Sequence, residues 1–222
     1  ETTEFNYLSP YLSYDMNTLN YRQYPSSGKR FHARLALVSG KERYKPGSSD
    51  YLTQRQSQSH RWLNLHVEYQ KYWDLSKKIK MGLQMEGNYS NRDFFSNYFS
   101  TLLHASYYNP LPHSKTLHLP NYIGNHYLAA GINPVLEFSE KFQLRASAHA
   151  FLPYKKIIEM PDKTAGYAPA FEHYHTMLSG TMVYHTVFGP ASLTVNYYEK
   201  RNKNLYFLFN FGFILFNEQG LK

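Results

Sequence analysis

The side chains best spaced for chemistry are three histidines and a serine in the run EHYHTMLSGTMVYH, namely His173, His175, Ser179 and His185. In an extended strand, residues two apart point the same way, so all four share one face. Imidazoles paired like this suit zinc, copper or nickel. The chain has no cysteine, and Glu172 is the only acid close by. His173, His175 and His185 are therefore metal candidates short of a full ligand set, and no cofactor is expected. A serine hydrolase needs its nucleophile on a strained G-x-S-x-G elbow. Ser179-Gly180-Thr181 lacks the flanking glycine and sits in mid-strand. A membrane-embedded hydrolase with its serine and histidine on an outer wall is the rival reading. Alternation opposes it, because Tyr174, Thr176, Leu178, Met182 and Tyr184 form the apolar face and the histidines lie opposite. No catalytic residue is assigned, and the chain is not expected to be an enzyme.

The elements that carry these residues read as strands throughout. In Leu205–Phe216 (LYFLFNFGFILF) the odd positions Leu205, Phe207, Phe209, Phe211, Phe213 and Leu215 are all apolar, while Asn210 and Gly212 interrupt the even face. Stacked phenylalanines would crowd a soluble sandwich, but a membrane barrel strand can turn Phe207, Phe209, Phe211 and Phe213 to lipid. Further alternating runs are Phe5–Tyr14, Phe31–Arg43, Trp62–Trp73, Ile79–Tyr89, Asn97–Tyr108, His126–Phe138, Phe142–Leu152, His173–Phe188 and Ala191–Glu199. Their polar faces are too rich for a soluble core and suit a wet lumen.

The 222 residues include 22 tyrosines and 15 phenylalanines, with a formal net charge of +8. No continuous apolar run approaches the roughly 18 residues of a membrane helix. Barrel strands escape that test, since alternation averages out. The basic residues are scattered over turns and rims, so nucleic acid is not an expected partner. The tyrosines read as interfacial girdles and lumenal hydrogen-bonders.

Connection lengths give an orientation. Gly189-Pro190, Ser139–Lys141 and Asp74–Lys78 are short, whereas 153–172 and 45–60 are long; outer-membrane barrels keep short turns in the periplasm and long loops outside. With that parity, the strands at 97–108 and 126–138 both run inward, which requires an outward strand at about 112–121. Eleven strands result, the first running inward. Closed bacterial barrels usually have an even number, so the chain is expected to be part of a larger barrel. It opens at Glu1 directly into strand-like sequence, so either a leader has been removed or longer sequence precedes it.

Three stretches carry a family likeness. SYDMNTLNYRQYPSSGKRF resembles a turn with Asp15, Asn17, Pro25 and Gly28 before a new strand. The segment around Tyr122, Ile123, Gly124 and Asn125 resembles a loop that folds back into the barrel. FGPASLTVNYYEKRNKNLYFLFNFGFILF resembles two closing strands. Together they are similar to the C-terminal barrel of patatin-like phospholipases of Bacteroidetes-type outer membranes. That superfamily includes the outer-membrane assembly factor and two-partner secretion barrels. The resemblance implies an all-β transmembrane antiparallel barrel of about sixteen strands, of which this chain is the C-terminal part, with 109–124 folded inward. It implies a Gram-negative outer-membrane location and a non-catalytic anchor and translocator for an upstream patatin-like domain, a surface antigen by location. The implied partners are outer-membrane lipid, the assembly machinery that reads the last strand, and upstream strands of the same protein. Where the family's inward loop usually carries an arginine, this chain has Ile123. A transport or channel barrel without an enzyme, and a small adhesin-like or structural barrel, are the alternatives.

Overall fold

A computed structural model describes residues 2–47, 56–199 and 205–213. Its strands are β1 (Thr2–Leu8), β2 (Tyr11–Asn17), β3 (Lys29–Lys45), β4 (Gln56–Asp74) and β5 (Ile79–Ser90). An irregular segment follows, with helix α1 (Tyr98–Leu103), β6 (Ser106–Tyr107), 3-10 turns at Ser114–Thr116 and Pro120–Tyr122, and β7 (Ile123–Gly124). The remainder is β8 (Tyr127–Glu137), β9 (Phe142–Pro153), β10 (Lys155–Glu159), β11 (Ala165–Ala170), β12 (His175–Thr186), β13 (Gly189–Tyr198) and β14 (Leu205–Phe211). The protein is all-β, built on one antiparallel sheet of ten strands in the order β1-β3-β4-β5-β8-β9-β12-β13-β14, with β2 also on β3. Among the described residues no pairing joins β14 to β1 or β2.

β1 and β2 share one register on β3, Leu8 opposite Ser39 and Tyr11 opposite Ala36, so they are one strand broken at Ser9-Pro10. Proline lacks the N–H that the ladder needs. Pro10 still accepts from the Leu37 amide at 3.0 Å. The sheet therefore has nine strand positions, and its first and last strands run the same way.

Two expected strands are not strands. Within Asn97–Tyr108 the chain forms α1, because Asn97 caps it by accepting from the Ser100 amide at 2.7 Å. Leu102 and Ala105 then bury with Tyr107, Ile123 and Ile157. Residues 112–121 hold the two 3-10 turns, and β5 pairs directly with β8 from Ile79–Leu136 to Asn88–Tyr127. Both errors fall in one connection, so losing the two leaves the parity odd. The long connection expected at 153–172 contains the β10–β11 hairpin. Asp15 and Asn17 belong to β2, and Asp15 holds Arg30 at 2.9 Å instead of sitting in the turn. The turn between β12 and β13 is Val187-Phe188, since Gly189 already pairs with Thr186.

Alternation sorts the side chains onto two unlike faces. On β9, Leu144, Ala146, Ala150 and Leu152 are exposed, while Gln143, Arg145 and His149 are buried. On β14, Phe207 and Phe209 are 74% and 70% exposed. The outer face is thus apolar and open, and the inner face is polar and covered. What covers it at the short-turn end is the 18–28 loop. Asn20 accepts from the amides of Ser26 and Ser27, and Thr18 and Lys29 exchange hydrogen bonds. Gly28 makes this return possible with φ +90°, and a Cβ there would lie 2.1 Å from the Thr18 carbonyl oxygen. Gly28→Val is expected to cost about 1–3 kcal/mol from backbone strain alone. The urea unfolding midpoint in detergent reports it, and an unchanged midpoint contradicts this role.

Candidate functional site

The inner face is filled at the long-loop end by residues 91–126. The chain leaves β5 with the Asn91 side chain still accepting from the Leu63 amide at 2.7 Å, and then turns in at Arg92. Arg92 is 4% exposed; its Nη2 donates to the Thr101 carbonyl at 2.7 Å and to Asn125 Oδ1 at 3.1 Å. Its guanidinium also lies 5.0 Å from the Phe95 ring centre. Burial pulls its pKa down to about 10. Among the described residues no carboxylate pairs with it, and a guanidinium buried in that way is costly unless its donors are used. Here two are used to tie the entry of the segment to its exit, because Asn125 Nδ2 reaches Tyr167 and its carbonyl accepts from Asn88.

From that neck the segment reaches both flanks of the sheet. Toward β1 and β3, the Ser96 amide donates to Glu42 at 3.0 Å, and Asn97 and Ser100 reach Thr3. Glu42 is fully buried and also holds His60 at 2.9 Å. At the centre, Tyr108 meets His149 Nδ1 at 2.9 Å and Tyr127 donates to Glu86 at 2.6 Å. Toward β12 and β13, His113 meets Tyr198 and Asn196, while the Tyr122 hydroxyl donates to the Thr176 carbonyl and accepts from the Glu199 amide. Tyr108, Leu119 and Tyr122 pack with Phe151, Met177 and Tyr198 into an apolar cluster on an otherwise polar face. Burial pushes the Tyr122 hydroxyl up to about 12, so at neutral pH it stays protonated and able to make both bonds.

Of the expected loop residues, Tyr122, Ile123 and Asn125 are buried to within 2% and Gly124 pairs with Ser106. Ile123 packs in the apolar contact with Leu102 and Ile157. The guanidinium that reaches this loop comes from Arg92, a position that sequence reasoning passed over. Its only signal was the break in alternation at Asn91-Arg92-Asp93. At the opposite end the 18–28 loop crosses the same face. Tyr24 bonds Ser192 at 3.1 Å, and its carbonyl accepts from Arg145, which also holds Tyr72 at 3.1 Å. Pro25 is part of this loop. Between the two covers lies a cavity of about 740 Å³ lined by Arg30, Arg34, His66, Glu86, His113 and Arg145 among others.

The three histidines do not converge. His173 and His175 stack at 6.4 Å, but His185 sits ten residues further along, about 34 Å by strand rise, stacked on Tyr21. No group of three or more acids and histidines among the described residues is placed to hold a metal. Phe207, Phe209 and Phe211 share the exposed outer face of β14, which ends at Phe211; Phe213 is exposed beyond Gly212, whose φ is +90°, and the expected continuation to Phe216 lies outside the described residues. Comparison with family models, with curated proteins and with solved structures finds no match.

Tyr122→Phe removes one hydroxyl that serves two part-buried backbone groups, with an expected cost of about 1–3 kcal/mol. Limited proteolysis within 106–124 should accelerate accordingly, and wild-type protection would show the hydroxyl is idle. A pH effect follows from His104, packed 4.2 Å from Phe5, whose imidazole burial holds below its ordinary 6.5. As pH falls below 6.5, the unfolded segment takes up a proton that the folded one refuses, so stability drops until the folded value is passed. Burial pushes His126 the same way. Hydrogen exchange in 98–108 should speed up at pH 5.5 relative to 7.5 beyond the intrinsic change. His104→Phe should shrink that difference, and no shrinkage refutes the assignment.

Proposed function

We propose that this chain is the C-terminal part of the wall of a transmembrane β-barrel in a Gram-negative outer membrane, acting as a non-catalytic anchor. The observation that carries the reading is the inversion of polarity across one sheet. The inner face buries Arg145, His149, Gln143 and Asn196, while the outer face exposes Leu128, Ile132, Leu193 and Phe209. Water around such a wall would leave its largest apolar surface uncovered, whereas lipid removes that cost.

Dimensions support the same reading. On β3 and β4 the outer face is apolar from Phe31 to Leu37 and from Leu63 to Tyr69, bounded by Lys29 opposite Lys71 at one end and Ser39 opposite Arg61 at the other. The bounding pairs lie ten residues apart, about 34 Å, or about 26 Å at a tilt of about 40°, and the apolar side chains between them cover about 20 Å along the strand, so the strip fits within the roughly 25 Å apolar band of a membrane barrel. Strand direction supports a larger barrel. Nine antiparallel positions leave both free edges running the same way, so antiparallel closure needs an odd number of further strands. A second copy in the same membrane orientation would meet this edge in parallel.

The filled inner face favours an anchor over an open pore, because 91–126 and 18–28 occupy both ends. The resemblance to patatin-like phospholipase barrels, about sixteen strands in all, supports an upstream hydrolase domain and a translocating role for the barrel. It also supports recognition of β14 by the assembly machinery. Phe209→Lys is expected to cost about 2–4 kcal/mol if the position sits near the bilayer midplane, measured as loss of the heat-modifiable gel form after folding into vesicles. A folded F209K protein that stays in solution without detergent would defeat the membrane assignment.

A further inference from the structure

β3 and β4 are longer than a membrane crossing needs. They run to 17 and 19 residues, against about 9–11 for a spanning strand. The excess lies at the long-loop end, where the outer face changes character above Leu37 and Leu63. There the outward residues of β3 are Ser39, Lys41, Arg43 and Lys45, and those of β4 are Arg61, Ser59 and Ser57, all exposed. The register sets three of these cations opposite serines: Arg61 faces Ser39, Lys41 faces Ser59, and Arg43 faces Ser57. Neighbouring cations are about 7 Å apart, by two residues along a strand or one diagonal across the pair. Among the described residues the single acid on the same face at this end, Glu4 of β1, binds Lys45 at 2.8 Å and lies opposite Arg43. The outer faces of β8, β9, β12, β13 and β14, by contrast, carry no charge among the described residues.

We propose that Lys41, Arg43 and Arg61, with Ser39, Ser57 and Ser59, form a binding site on the barrel's outer wall for the phosphate groups of a phosphorylated glycolipid in the membrane leaflet at the long-loop end. The inference rests on the membrane reading above. Three cations and three hydroxyls on one flat surface offer the donors that phosphate oxygens accept. Their position directly above the apolar strip is where a lipid whose chains lie on Leu35, Leu37, Leu63 and Leu65 would carry its headgroup. The like charges raise one another's cost until an anion arrives, and a headgroup tethered at this height is concentrated where they need it. A lipid with two phosphates matches the spacing better than one with a single charge.

The test uses the full-length protein in neutral detergent with bisphosphorylated lipid A as the probe, and the same lipid stripped of both phosphates as the comparison. Wild type is expected to prefer the phosphorylated probe, and Lys41→Gln/Arg43→Gln/Arg61→Gln to lose that preference by on the order of a hundredfold. Lys29→Gln/Lys71→Gln, at the opposite rim, should bind like wild type. Equal binding of both lipids by wild type, equal loss in the opposite-rim variant, or displacement of the lipid by inorganic phosphate at equal affinity each overturns the site. Insertion into vesicles, followed in parallel, separates the two claims. A triple variant that inserts normally but binds unchanged sinks the headgroup site alone, while a wild-type chain that never inserts sinks the membrane reading with it.

Discussion

A polar face that is buried must have its donors and acceptors matched, and nearly everything in this structure follows from how the inner face of the sheet meets that demand. Strands satisfy their own backbones but leave Glu42, Glu86, His149, Asn196 and Arg145 pointing at one another's space. Some are met within the sheet, where Tyr127 answers Glu86, His60 answers Glu42 and Tyr72 answers Arg145, and others by two connections that fold back, one from each end. Ser96, Tyr108, His113 and Tyr122 answer at the long-loop end, and Tyr24 at the other. An unmatched buried group costs about 1–3 kcal/mol, so filling that face is a condition of its polarity. Between its charged rims the outer face has no such requirement, since the side chains there ask only for an apolar neighbour.

The wall was legible in the sequence because alternation is a local signal. Phe142, Leu144 and Ala146 against Gln143 and Arg145 assign a strand and both its faces without reference to any neighbour. The contents of the wall were not legible in the same way. Tyr98 to Tyr108 alternates well enough to pass for a strand, and what decides otherwise is a cap at Asn97 and burial against Ile157, nearly sixty residues away. Tertiary contacts override a weak periodicity there, as they do at Asp15, whose turn-like chemistry serves an ion pair from β2 to Arg30 of β3. Arg92 was invisible for a related reason. Its partners, Thr101 and Asn125, are set by a fold-back that no spacing rule encodes.

The histidines show the limit from the other side. Period-two spacing correctly puts His175 and His185 on one face, yet sharing a face is not proximity when a strand rises about 3.4 Å per residue. His175 ends near Glu199 and His185 against Tyr21, at opposite ends of β12. Chemistry at such a site needs convergence from different strands, and on the inner face the convergent groups pair with one another, as Arg30 does with Glu68, or with the two covering loops.

In ladder terms β5 and β8 are a single hairpin whose turn is residues 91–126, cinched at its base by Arg92 and Asn125. No strand pair of the main sheet depends on what that turn contains. Changes above the neck would leave the β5–β8 ladder its own hydrogen bonds, but each group that answers the inner face, such as Ser96 on Glu42 or Tyr108 on His149, would have to be replaced by another. The sheet thus fixes which polar groups must be met and leaves open which residues of the turn meet them, so the interior can be refitted only with matching partners.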